Sequence, residues 1–531
     1  MSYQTRPVTY AQRGIVAAPH YLAAEAGLDI LKAGGSAVDA AIAANSMLQV
    51  VFPFVCGLGG DVFAIVWSAA EQKMFALNAS GKSAASASIE KYTALGYHET
   101  PTFGIHSVTV PGCPDGWDML HKKFGALPLN RVLEPAIYYA EQGFPVGPEL
   151  SSALEKTAAS GHAHSSWFRN FLPDGAVPHV GALMKLPNLA KTFRALTESG
   201  LKDFYTGEIA RQTADFFQRE NGCITLNDLA EHQSEWVEPL SADYGDLSIY
   251  ELPPNTHGVT ALQMMSMLNL LPSGSDPMDP KTIHLAVEAK KLAFADRDRY
   301  ITDPAKMTIR AEELLNPEYI LQRSKLIHPE HAADSTAPGS LSGDTIYLCA
   351  ADSQGNMVSL IQSNYMGFGS GVVVDNLGIA LQNRGAYFRM DPRHINALEP
   401  RKRTMHTLIP SLAVKNGAPA IVFGSMGGDG QPQFHTQVYT NIIRFGANMQ
   451  EAIDIPRWLH GASRGSSKEH LFVESRFPES TIRQLQRMGH EVIVTESWDS
   501  LMGFAQGIIR LPNGVYAGGS DPRAEGAAAG W

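Results

Sequence analysis

The interval from His331 to Gly343 divides the chain into two textures, and that division constrains the fold more than any other feature. Asp334, Ser335, Pro338, Gly339, Ser340, Ser342 and Gly343 crowd into it, the composition of a linker. Ahead of it the pattern is mostly helical. Behind it come short, strand-like runs at Thr345 to Ala351, Met357 to Ser363, Gly371 to Asp375, Leu412 to Val414, Ala420 to Phe423 and Val492 to Thr495. Only Ser353-Gln354-Gly355 separates the first two runs, which predicts a hairpin with Gly355 in the left-handed position. That register sets Asp352 against Asn356 and, counted back along both strands, Thr345 against Ser363. A slip of one residue would turn both side chains to the other face.

Before the linker, Ala23 to Val50 has helical spacing broken at Gly34-Gly35, which predicts two closely packed helices. Gly57-Leu58-Gly59-Gly60 then leads into the apolar run Val62 to Trp67, a predicted strand. No phosphate-loop lysine follows this turn, so it is a weak signal for nucleotide binding. Trp117 to about Arg219 alternates amphipathic stretches with loops and reads as helical decoration of a core. A further amphipathic helix is expected from His284 to Tyr300, stopping before Asp303-Pro304.

The 531 residues, 44% hydrophobic and 18% charged, fit a globular enzyme and allow one large core. The net charge of −11 leaves no basic footprint, and Arg401-Lys402-Arg403 is too short for a nucleic-acid arm. Cys56, Cys113, Cys223 and Cys349 have neither metal-site nor disulfide-framework spacing and read as buried thiols of a reducing compartment. Met1 to Ile15 lacks the continuous apolar stretch of a secretory signal. Ala37 to Val55 is interrupted by Asp39, Asn45, Gln49 and Pro53, against a membrane span. The expectation is a soluble cytoplasmic protein without nucleic-acid or membrane partners.

Asp344-Thr345 stands where linker meets strand. A threonine hydroxyl is a poor nucleophile until a base takes its proton, and cleavage before Thr345 would free an α-amine of unperturbed pKa about 7.7–8.0 to do so. The same hydroxyl can first attack the Asp344 carbonyl, so one group would serve maturation and turnover. On its own, a threonine opening a strand is ordinary β-propensity. Gly424-Ser425-Met426-Gly427-Gly428 follows the apolar strand Ile421 to Phe423, and paired glycines can turn backbone N–H groups toward an oxyanion, although most such turns are purely structural. His328-Pro329-Glu330-His331 and the His162, His164 pair read as solvated loops rather than metal sites.

Taken together in order, Gly34 to Ala41, Gly57 to Gly60, Val110-Pro111-Gly112, Asp344-Thr345, Pro400 to Pro410, Gly427-Gly428 and Gly519 to Arg523 resemble the γ-glutamyltranspeptidase family of N-terminal-nucleophile hydrolases. Within that family the chain is most similar to the oxamate amidohydrolase and cephalosporin acylase branch. The resemblance covers nearly the whole chain. It implies an α+β, four-layer αββα sandwich with mainly helical additions. It also implies self-cleavage into a large subunit, residues 1–344, and a small one, residues 345–531, joined in one composite domain. Thr345 matches the nucleophile, Ser363 the hydroxyl that bonds to it, and Gly427 and Gly428 the oxyanion glycines.

The departures concern substrate. Ser80 stands where the glutamyl enzymes hold an α-carboxylate with Arg. Tyr387 stands at the Asp that holds the α-amine, Tyr365 at an assisting Asn, and His406 at the first of two serines, with Thr407 beside it. Losing such charged contacts removes about 1.5–3 kcal/mol each from a glutamyl head. Arg384, where Gln is usual, could bind a substrate carboxylate or belong to a structural ion pair. The expected activity is hydrolysis of a small anionic amide, with oxamate to oxalate and ammonia the leading choice and no metal or organic cofactor. A γ-glutamyl hydrolase or transpeptidase acting on glutathione, an acylase for bulkier amides, and a silent binding protein of the same fold are the alternatives.

Overall fold

The computed structural model describes residues 4–333, 344–462 and 468–531, so most of the predicted linker lies outside the described residues. Two seven-stranded sheets lie face to face. One runs, edge to edge, Thr9–Ala11, Tyr516–Ser520, Ala505–Arg510, Ala418–Ser425, Ser411–Lys415, Leu247–Glu251 and Leu240–Tyr244. The other runs Ala527–Gly530, Gly14–Ala18, Asp344–Asp352, Met357–Tyr365, Asp61–Ser68, Lys73–Ala79 and Glu235–Val237. Segments from both sides of Thr345 interleave in each sheet, so neither part of the chain has a core of its own.

Strand alternation sorts the side chains into layers. In Asp344–Asp352, Ile346, Leu348 and Ala350 join the core beneath the outer helices, whereas Tyr347, Cys349 and Ala351 join the core between the sheets. Phe63, Ile65 and Trp67 of Asp61–Ser68 and Met357 and Ile361 of Met357–Tyr365 do the same. Leu412, Val422 and Ile508 meet them from the opposite sheet. The layers are closest where the Tyr347 ring covers Gly424, at which a Cβ would lie 2.5 Å from the ring.

Helices close both outer faces and complete a four-layer αββα sandwich. Tyr21–Lys32 and Ala37–Val51 cover the sheet that carries Thr345, and every residue of Ala37–Val51 is buried because Leu129–Gln142 packs outside it. Ser36 caps this helix by accepting from the Asp39 N–H while Asp39 accepts from the Ser36 N–H. Asp352 accepts from the Ala37 N–H at 2.9 Å and so ties the hairpin to the helix start. Gly258–Asn269 and Gln431–Phe445 cover the other sheet, and Pro280–Tyr300 packs against these two helices. The region 117–219 is largely helical, as its pattern predicts.

Gly371 to Asp375 departs from its strand prediction. Only Val373–Val374 is extended, and Asp375–Leu377 turns into a 3-10 helix that delivers Gly378 with φ 63°. Gly371 itself has φ 72°, which a regular strand excludes. The four cysteines are free and buried, and no described helix is long and apolar enough to cross a membrane.

Gly424→Ala should force the sheets apart at Tyr347 and cost about 1–3 kcal/mol. Urea unfolding is expected to show a lowered midpoint, and an unchanged midpoint would mean that this contact yields freely.

Candidate active site

The hairpin register is the one counted from sequence: Ala351 pairs with Met357 and Ile346 with Gln362. The ladder then shifts, so that Asp344 pairs with Tyr365 and Thr345 occupies the irregularity. Such a bulge re-aims a side chain at the end of a ladder. Thr345 is buried, and its hydroxyl donates to Ser363 Oγ at 3.2 Å. Ser363 Oγ also accepts from the Tyr365 N–H at 2.7 Å.

Ser363 pairs with Asp61 on the next strand, and continuing the Val62–Ala79 pairing carries the row to Ser80. Facing residues of paired strands share a sheet face, so this row points between the sheets at the open end of the sandwich. Gly60 makes the crossing possible, because a Cβ there would meet the Ser363 carbonyl oxygen at 2.3 Å. Asp61 is completely buried. Its Oδ1 accepts from the Gly81 and Gly112 N–H groups and from Gln382 Nε2, and its Oδ2 lies 3.0 Å from His406 Nε2. Burial pushes the Asp61 carboxyl up to about 7, with the Arg384 guanidinium pulling the other way.

Arg384 is 1% exposed. Its Nη1 donates to Thr407 Oγ1 at 3.2 Å, and its guanidinium lies 4.1 Å from the centre of the Tyr365 ring. Nε and Nη2 have no hydrogen-bond partner among the described residues, and no described carboxylate comes within ion-pair distance of this cation. Burial lowers its pKa, with the nearby Tyr365, Asp61, Tyr387 and Asp429 opposing. Tyr365 holds its place with φ 82°, an uncommon conformation for a bulky residue and one that recurs at functional sites.

A second cluster begins at the glycine turn. Gly427 has φ 134° and Gly428 φ 53°, and the helix Gln431–Phe445 starts shortly after them. Among the described residues, neither glycine N–H is taken by a loop or side-chain acceptor. Asp429 follows, fully buried, and its Oδ1 accepts from Arg297 Nη1 at 2.9 Å and from the Tyr387 hydroxyl at 2.7 Å. Burial raises the Asp429 carboxyl, and Arg297 opposes the shift. His257, whose Nε2 lies 2.9 Å from the Thr407 carbonyl oxygen, is kept neutral by burial.

Thr345, Ser363, Tyr365, Arg384, Thr407, His406 and Tyr387 therefore lie along one chain of contacts, which Gly427 and Gly428 join only through their neighbour Asp429. Thr345 touches Ser363, Ser363 holds Tyr365, and Tyr365 covers Arg384, which reaches Thr407. His406 turns to Asp61, and Tyr387 packs on Tyr365 with ring centres 5.7 Å apart while reaching Asp429 behind Gly428. Asp344 enters this description by its backbone alone. Beyond the two tyrosines opens a cavity of about 660 Å³, lined also by Glu99, Arg297, Asp298, Phe388, Arg389 and His394.

Sequence reasoning missed Asp61, His257, Arg297 and Asp429. The available signal was an acid directly after each glycine turn, Gly59-Gly60-Asp61 and Gly427-Gly428-Asp429. It also missed His284, Glu288 and His490, whose ligand atoms lie within 4.8 Å of one another beside the His328 carbonyl. There Lys291 Nζ lies 2.8 Å from Glu288, so an ammonium already supplies the cation.

The model of the gamma-glutamyltranspeptidase family matches residues 23–531. The chain belongs to this family. It is 40% identical to the glutathione hydrolase-like YwrD proenzyme of Bacillus subtilis, over 97% of this chain and 98% of that one. It is 38% identical to the oxamate amidohydrolase proenzyme of Klebsiella pneumoniae, over 98% of each. The crystal structure of cephalosporin acylase from Bacillus halodurans superposes with a TM-score of 0.93 at 44% identity, covering 99% of this chain and 97% of that one. Relatives of this family member are thus hydrolases described as proenzymes.

Arg297→Met would leave Asp429 buried without its cation and should cost about 3–5 kcal/mol, whereas Tyr387→Phe should cost about 1 kcal/mol. Thermal unfolding of the two variants is expected to rank them in that order, and equal losses would deny Arg297 its role as the main counter-ion.

Proposed function

We propose that this family member is a self-processing amidohydrolase that cleaves small anionic amides, with oxamate as the leading substrate. The observation that carries the choice is Arg384, a buried cation with two nitrogens left without partners among the described residues and linked to the Thr345–Ser363 pair through Tyr365. A buried charge without a counter-ion is costly, and a bound carboxylate would supply one in bidentate fashion. Oxamate has its carboxylate bonded directly to the amide carbon, the arrangement required of a substrate held at Arg384 and attacked by Thr345. Its relation to an oxamate amidohydrolase proenzyme points the same way.

In this reading Thr345 first attacks the Asp344 carbonyl carbon, and water hydrolyses the resulting ester. The products are a large subunit, residues 1–344, and a small one, residues 345–531, which stay together because their strands interleave. The freed α-amine then takes the proton of the Thr345 hydroxyl as its oxygen attacks the amide carbon. Ser363 orients that oxygen, and the Gly427 and Gly428 N–H groups receive the oxyanion. Collapse of the adduct expels the amine, which carries the proton away, and water hydrolyses the acyl ester. No step calls for a metal or organic cofactor. Buried thiols accord with a cytoplasmic setting.

A second reading, an acylase for bulkier amides, is favoured by the 660 Å³ cavity beyond Tyr365, which would accept a larger leaving amine. The two readings separate by experiment. Processed enzyme should release ammonia from oxamate faster than it cleaves a γ-glutamyl anilide or a long-chain acyl amide. Arg384→Met should raise KM for oxamate at least about tenfold, the loss of one charge-assisted contact, and leave self-cleavage intact. Faster anilide turnover, or normal oxamate kinetics in Arg384→Met, would reject the substrate assignment.

Thr345→Ala should remain a single, inactive chain on a denaturing gel. Ser363→Ala should mature and lose about one to two powers of ten in kcat with little change in KM. Two normal subunits from Thr345→Ala would remove this residue from both roles, and an unchanged kcat in processed Ser363→Ala would remove Ser363.

A further inference from the structure

Asp61 is the one carboxylate built into the same strand row as Thr345 and Ser363, and the reading above gives it no task. Everything around it is settled. Gly81 and Gly112 N–H groups and Gln382 face its Oδ1, and His406 faces its Oδ2. Ser363 stands across the ladder. The uncharged Cys113 thiol and Tyr205 phenol are its titratable neighbours on the helical side. The cation that acts on it most strongly is Arg384. His406 in turn faces Asp61, Arg384, His257 and the Phe63 ring. Asp429, by contrast, already has Arg297 as its cation.

Asp61 and Arg384 are therefore the buried anion and cation of one compartment, held by way of His406 and Thr407 without direct contact. A substrate carboxylate that settles on Arg384 Nε and Nη2 would bring a second anion to a single cation in a dry site. Two carboxylates sharing such a site do not both stay ionised.

We propose that Asp61 balances the charge of the anion site, so that a carboxylate binds to Arg384 together with one proton, taken from water by the Asp61–His406 pair. This rests on the reading of Arg384 as the carboxylate site. The proton enters at His406 Nδ1, and the proton on Nε2 passes to Asp61 Oδ2. Asp61 becomes a neutral acid that donates to Nε2, and His406 stays neutral with its proton on Nδ1. The bond given up is the weakest of the set, the 3.3 Å contact that Nδ1 accepts from the Leu408 N–H. Asp61, near neutral pH in its tendency to ionise, needs only a modest push to take the proton. The sign follows: the ligand-bound state holds one more proton, so binding is strongest where Asp61 is already protonated and weakens as pH rises past its titration. The pair thereby restricts the site to singly charged acyl groups and to neutral or acidic conditions.

The test uses processed enzyme and lactate, a monoanion about the size of oxamate without an amide to cleave. Calorimetry in two buffers of different ionisation enthalpy should count close to one proton taken up at about pH 8, with affinity falling about twentyfold between about pH 6.5 and pH 8.5. The Thr345 α-amine titrates in the same range, so two controls locate the proton. Infrared difference spectra should show the C=O stretch of a protonated carboxylic acid on adding lactate to the parent. Asp61→Asn, a neutral mimic of the protonated state, should bind lactate with little pH dependence and no proton uptake.

Binding without a new carboxylic-acid band, or the same proton count in Asp61→Asn, would overturn the proposal and leave the anion site standing. Absence of lactate binding at every pH, or undiminished binding in Arg384→Met, would instead overturn the carboxylate reading of Arg384 and this inference with it. Should Asp61→Asn fail to fold, the infrared measurement on the parent decides alone.

Discussion

The face-to-face packing of the two central sheets is the constraint from which the site follows. Their inner faces close tightly through Phe63, Ile65, Tyr347, Leu412, Val422 and Ile508, with Gly424 admitting the Tyr347 ring. Alternation along three adjacent strands then dictates that Thr345, Ser363 and Asp61 share this inner face, two residues beyond the last apolar layer. Apolar positions fill the middle of the sandwich, and polar ones occupy its open end. One geometrical rule thus makes a close-packed core and a polar site from the same strands.

Charge at that open end is arranged in two buried compartments. In one, Asp429 is met by Arg297 and Tyr387 behind the Gly427-Gly428 turn. In the other, Asp61 and Arg384 are held apart, each by its own partners, so that among the described residues the arginine keeps unused donors. A buried ion pair that is complete serves structure, whereas a cation with spare N–H groups is a standing invitation to an anion. Tyr365 separates this compartment from the outer cavity, and its left-handed backbone shows how firmly the surrounding packing holds it there.

Proximity of these groups also bears on specificity. Tyr365, which lies over Arg384, and Tyr387 both line the outer cavity, and their own positions are set by Ser363 and Asp429. On the proposed reading a small acyl group suits the site better than a glutamyl head, for whose zwitterion Ser80 and Tyr387 offer no paired charges.

Much of this was legible along the chain. The hairpin from Thr345 to Ser363 was readable because strand periodicity and a three-residue loop are local properties, and the register shift at Thr345 moves only the ladder's end. The helix break at Gly34-Gly35 and the glycine turns were readable for the same reason. The helices of 117–219 declared themselves by amphipathic spacing, while Gly371 to Asp375 misled because apolar residues conceal the positive φ that breaks a strand. Sequence by itself determined the strand alternation and the position of Thr345 at a strand's start, and the layers were legible only as what the family resemblance implies. Only the tertiary structure decided that Arg384 has no carboxylate within ion-pair distance among the described residues, that Asp61 faces Ser363, and that Asp429 is spoken for by Arg297 on a helix more than a hundred residues away in the chain. Burial and charge pairing depend on which distant segments converge, and no local pattern encodes the partner of a buried ion.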